Sequence, residues 1–120
     1  MAAIDCILRL LKPGDEIICS NDIYGGTFRL FNQIYTRQNF KFIFSDLQSI
    51  DELKKIKNKN TKMIWIETPS NPMMNIIDIK KISDFAKKHK LLTVVDNTFA
   101  SPYLQTPLDL GADIVTHSAT

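Results

Sequence analysis

Residues 62–67, KMIWIE, and residues 92–96, LTVVD, are near-continuous apolar runs of strand length, each closed by an acidic residue. A strand with one wet face alternates apolar and polar side chains, whereas a strand covered on both faces is apolar throughout. Both runs are therefore predicted to be parallel strands inside an α/β sheet. Between them lies the amphipathic helix that such a connection needs. Ile79, Ile82, Phe85 and Ala86 form its inward stripe, Lys80, Lys81, Lys87 and Lys88 its solvated face, and Asp78 stands where a first-turn cap belongs.

Outward from this centre the same alternation repeats. EIICS at 16–20, FKFIF at 40–44 and DIVTHS at 113–118 are further strands. Ile4, Leu8 and Leu11 share a helical stripe that Pro13-Gly14-Asp15 ends, and Phe28, Phe31, Ile34 and Tyr35 share another. Ser49 and Glu52 have capping-box spacing ahead of a stripe of Ile50, Leu53 and Ile56. The expected architecture is α/β, a mostly parallel sheet with helices on both faces. Residues 1–120 are expected to be part of one domain, truncated at both ends, because Met1 opens directly on a helix and Thr120 stops at the mouth of a strand.

With 15 basic against 13 acidic residues, the net charge of +2 gives no field that argues for nucleic acid or an anionic membrane. Two cysteines make no disulfide framework or zinc site, so Cys6 and Cys19 are expected as buried small hydrophobes. Asp5 and Arg9 interrupt the amino-terminal apolar run, which excludes a membrane span there and points to a cytoplasmic chain.

In open α/β sheets ligands collect beyond the carboxyl ends of the strands. The segments found there are Asn21 to Thr27, Thr68 to Pro72, Asn97 to Phe99, and Ala119 with Thr120. Asp96, ending an apolar strand, calls for a cation or several N–H donors, and capping a turn beside Asn97 is an equally good reading. Tyr24 beside Gly25-Gly26 packs locally or stacks on a ligand, and the two glycines lack the spacing of a phosphate loop. Ser70 and Asn71 lie in a stiff loop between two prolines. His89 and His117 receive no catalytic role, and no metal site is expected.

Taken together, YGGTFRLF (24–31), ETPSNP (67–72), VVDNTFASPYLQTPLDLGADIVTHSAT (94–120) and the opening MAAI closely resemble the cystathionine γ-synthase and γ-lyase family, which uses pyridoxal 5'-phosphate on a fold type I scaffold. The resemblance spans essentially the whole chain and implies a piece of that scaffold's large domain. It implies that Asp96 pairs with the protonated ring nitrogen, where a carboxylate keeps the ring an electron acceptor. Tyr24 then stacks on the ring and assists proton transfer or leaving-group departure. Asn71 approaches the ring hydroxyl or the substrate carboxylate, and Thr98 lies near the opposite ring face. Ser118 and Thr120 hold the phosphate together with the helix opened by Met1. Glu67, Pro69 and Arg29 match the motifs as structural residues.

In this family the lysine that forms the Schiff base follows HSAT directly, so it is expected just after Thr120, and no lysine of this chain replaces it. The resemblance also implies an amino-acid substrate and a dimer-built homotetramer. Two readings follow: a segment of a transsulfuration enzyme, inactive by itself, or a non-catalytic truncated product. A receiver-like phosphate-binding module is disfavoured, since it needs an acidic cluster that EIICS does not offer.

Overall fold

A computed structural model describes residues 1–119. The order of elements is α1 (Ala2–Leu8), β1 (Glu16–Ser20), α2 (Gly25–Arg29), β2 (Lys41–Ser45), α3 (Ile50–Ile56), β3 (Thr61–Glu67), α4 (Ile79–Lys88), β4 (Leu92–Asp96), α5 (Ser101–Leu104) and β5 (Ile114–Thr116). After α2 the helix widens to π geometry over Leu30–Tyr35 and tightens to a 3-10 turn over Thr36–Gln38. The strands form one five-stranded sheet in the order β2-β1-β3-β4-β5, and every neighbouring pair is parallel.

Because successive strand residues point to opposite faces, the apolar runs divide between two cores. Ile18, Ile64, Ile66 and Val95 pack under α3 and α4 with Leu53, Ile79, Ile82 and Phe85. Ile17, Cys19, Met63, Trp65 and Val94 pack on the other face with Ile4, Ile7 and Leu8 of α1 and with Phe31 and Tyr35. Helices thus cover both faces, which explains why the middles of these strands are mainly apolar, with most polar residues at or next to the strand ends.

Several expectations need correcting. Of the stripe proposed after Gly26, Phe31 and Tyr35 are buried but Phe28 and Ile34 are exposed, because the π segment departs from the helical period on which that stripe was drawn. Helix α1 ends at Leu8, and β5 stops at Thr116, so His117 and Ser118 lie beyond the strand. Helix α5 was not expected. Cys6 is exposed, while Cys19 is buried as anticipated. The capping box is half made: Ser49 accepts the Glu52 N–H at 3.3 Å, but the Glu52 carboxylate accepts from the Ser45 hydroxyl instead of returning to Ser49. Asp78 caps α4 through the Lys81 N–H at 3.0 Å, as expected. Among the described residues no helix is long and apolar enough to cross a membrane.

Candidate functional site

Register decides which loops meet. Glu67, the last residue of β3, pairs with Asp96, the last of β4, and Asp96 pairs in turn with Thr116, the last of β5. All three strands therefore release the chain on one edge, where the segments after β1, β3, β4 and β5 and the head of α1 enclose a cleft of about 650 Å³. This is the size of a small-molecule site. Met1, Tyr24, Asn71, Asp96, Thr98 and Ser118 all line it. Thr120, also expected there, lies outside the described residues.

Asp96 is half-buried at the cleft wall. Its Oδ1 accepts the Thr98 N–H at 3.1 Å and the Thr98 hydroxyl at 2.6 Å, and Thr98 Oγ1 accepts the Ser118 N–H at 2.9 Å. One hydroxyl thus ties the end of β4 to the segment after β5 and fixes the carboxylate. Among the described residues all hydrogen bonds to Asp96 fall on Oδ1, which leaves Oδ2 for a donor in the cleft. A carboxylate steadied on one oxygen and open on the other suits a cationic ring nitrogen. The buried Thr116 hydroxyl in the same wall likewise has no partner among the described residues.

Tyr24 precedes α2, and its half-exposed ring folds over Gly26, where a Cβ would come within 2.4 Å of ring Cε1. Glycine is needed there for the ring to lie as it does. Asn71 belongs to a loop held from within. The Ser70 hydroxyl donates to Asp22 and accepts the Asn75 N–H at 2.9 Å, and Thr68 Oγ1 accepts the Ile77 N–H at 2.9 Å. Ser70, fully buried, belongs to the loop's own framework.

Two residues at the rim do more than their sequence context suggested. Asn97 is fully buried and joins four segments: its Nδ2 reaches the carbonyls of Ser101 and Gln105 at 3.1 and 2.9 Å and His117 Nε2 at 3.1 Å. Its Oδ1 accepts from Gln105 Nε2, which also donates to the Thr68 carbonyl. Glu67 is buried and accepts the Tyr24 N–H on Oε2 at 2.7 Å and the Asn71 N–H on Oε1 at 3.2 Å. The available signal was that β3 and β4 both end in an acidic residue, but only the register places the two side by side.

Burial pushes the Glu67 carboxyl up to about 7, with Asp96 and Asp22 adding to the rise and the two N–H bonds opposing it. The folded state therefore keeps a proton that the unfolded chain releases near 4.5. The corresponding stability is fully present below that value and is lost as pH rises through 7, in total up to about 3 kcal/mol. Thermal unfolding followed from pH 4 to 8 is expected to show this loss in the parent protein, and a Glu67→Gln variant, which has no proton to release, is expected to lack it. Parallel pH profiles for the two proteins would contradict the assignment.

No group of three or more His, Cys, Asp or Glu side chains placed to hold a metal ion occurs among the described residues. The sequence model of the Cys/Met metabolism PLP-dependent enzymes matches residues 1–120. Over 120 residues the chain is 52% identical to a cystathionine beta-lyase of Lactococcus lactis subsp. cremoris (strain MG1363), covering all of this chain and 32% of that protein. Over 121 residues it is 49% identical to a cystathionine gamma-synthase of Mycobacterium leprae, again covering all of this chain and 31% of the relative. The solved structure of cystathionine gamma-lyase from Lactobacillus plantarum, complexed with L-serine, superposes with a TM-score of 0.96 at 47% identity, over 98% of this chain and 31% of that one. The chain spans about a third of the length of these relatives.

Proposed function

Since the chain belongs to the Cys/Met metabolism PLP-dependent enzymes, we propose that it forms the central part of the cofactor-binding large domain of a transsulfuration enzyme. The reaction type is that of cystathionine γ-synthase or γ-lyase: γ-replacement or γ-elimination on homoserine-derived or cystathionine-like amino acids. The observation that supports this best is the meeting of Tyr24, Asn71, Asp96, Thr98 and Ser118 around one cleft, with one Asp96 oxygen that no described residue engages.

When bound, pyridoxal phosphate supplies a ring that accepts electrons from a substrate carbon. Asp96 would hold the proton on the ring nitrogen, since a neighbouring carboxylate favours the charged form. Thr98, through its bond to Oδ1, keeps Asp96 aimed. Tyr24 would cover the ring face and could move a proton at its phenol oxygen, while the Asn71 amide would orient the ring hydroxyl or the substrate carboxylate. Ser118 and Thr120, with the first amides of the helix opened by Met1, would hold the phosphate. Relatives named beta-lyase and gamma-synthase match at 52% and 49% identity, so we assign the choice of reaction to residues outside this stretch.

The enzyme is a cytoplasmic homotetramer built from dimers in this reading. Support for assembly comes from α5, which leaves Tyr103 93% and Leu104 74% exposed. Titrating the cofactor-free whole enzyme with pyridoxal phosphate is expected to give stoichiometric uptake, followed by visible absorbance. Adding cystathionine is then expected to release a thiol-containing product if the reaction is elimination, and adding an O-acylated homoserine with cysteine is expected to consume the thiol and free the acyl carboxylate if it is replacement. A protein that takes up no cofactor, or takes it up and turns over none of these amino acids, would refute the proposal.

A further inference from the structure

We propose that Glu67 is a positioning residue: its carboxylate holds the loop carrying Tyr24 and the loop carrying Asn71 in one fixed relation, so that phenol and amide face the cofactor together. What is positioned rests on the functional reading above, whereas the clip itself stands on geometry.

Glu67 is anchored before it anchors anything else. It ends β3, whose last five residues are buried, its N–H donates to Ser20 Oγ at 3.0 Å, and it sits in register with Asp96. From this fixed point each oxygen reaches a different loop, at 2.7 Å to the Tyr24 N–H and 3.2 Å to the Asn71 N–H. Asp22 also links the two loops through Ser70. Glu67, however, grips the backbone at the two residues whose side chains line the cleft. The Tyr24 N–H stands at the start of α2, where a helix leaves its amides without internal partners, so an external acceptor sets its place.

Once ionised, above its folded value of about 7, the Glu67 side chain only accepts, and on two oxygens at once. Its position is costly, with Asp96 of β4 and Asp22 of the loop after β1 both facing it through space. The three salt bridges among the described residues lie elsewhere, at Asp5, Asp51 and Asp84. A clip with only a structural purpose has no need of a third carboxyl at this rim. A clip beside a cationic ring benefits from one, since the ring's charge offsets the repulsion.

The test compares the whole enzyme as parent, Glu67→Gln and Glu67→Asp. Glutamine keeps one acceptor but turns an NH2 donor toward a backbone N–H, so one arm of the clip is lost. Peptide-resolved amide exchange, read without cofactor or turnover, is expected to be about tenfold faster or more at Tyr24 and Asn71 in Glu67→Gln, with β4 and α4 unchanged. In the loaded enzyme kcat is expected to fall by about tenfold to a hundredfold, with cofactor retained and KM little changed, the pattern of displaced reacting groups. Glu67→Asp keeps the charge on a stem too short for both amides. It is expected to fall between the two, and it carries the test if Glu67→Gln does not fold. Unchanged exchange at Tyr24 and Asn71 overturns the clip, and altered exchange with parental kcat overturns the positioning role. If the parent takes up no pyridoxal phosphate, the functional reading fails while the exchange result still decides whether Glu67 holds the loops.

Discussion

Asp96→Ala in the whole enzyme is expected to lower cofactor affinity by about a hundred- to several-thousand-fold, the range set by the 3–5 kcal/mol lost when one partner of a buried charge pair is removed. Turnover is expected to fall with it. The variant removes the charge proposed to face the ring nitrogen and the acceptor of the Thr98 hydroxyl, which in turn holds the Ser118 amide. Asp96→Asn separates these effects. An amide oxygen preserves the link to Thr98 while the charge is gone, so this variant is expected to retain more cofactor than Asp96→Ala and still fail to turn over. Equilibrium titration and steady-state rates measured on both variants check this. Parental activity with bound cofactor in either would refute the role given to Asp96.

Trp65→Ala is expected to cost about 3–5 kcal/mol of folding stability, which is a large share of what a domain of this size has to lose. Trp65 is fully buried in β3, and its ring meets Phe31 edge-on at 5.5 Å. Its indole N–H has no hydrogen-bond partner among the described residues. Truncation to alanine leaves a cavity between the sheet and the helix that follows Tyr24. Trp65→Phe leaves a smaller one and also removes the unpaired donor, so it is expected to cost less than about 1.5 kcal/mol. Denaturant unfolding of the two variants checks the contrast. A Trp65→Phe variant as unstable as Trp65→Ala would mean that the indole N–H does have a partner.

The strands were legible because burial on both faces leaves a direct mark on composition: EIICS and LTVVD have the bounds read from their apolar runs. The four loops at the carboxyl edge were legible for the same reason, since they follow from where the strands end. Helix α5 left no mark, being four residues with Pro102 in its first turn and no apolar stripe. The exposure of Phe28 was hidden by a change of helical period that no local residue announces. Glu67 and Asn97 were hidden more deeply. Their partners lie as far as 47 residues away for Glu67 and 20 for Asn97, so their work appears only once the parallel register is known.

The strand order also bears on how the chain reaches this state. β1 lies between β2 and β3, after which β4 and β5 each add to the outer side of the strand made before them. A chain emerging from the ribosome can therefore build the sheet outward, each finished edge serving as the template for the next strand. No pairing has to be undone. The same edge, while it waits, is open to any other extended segment nearby, so association of nascent copies is expected to compete at the β3 stage, before α4 and β4 have been made.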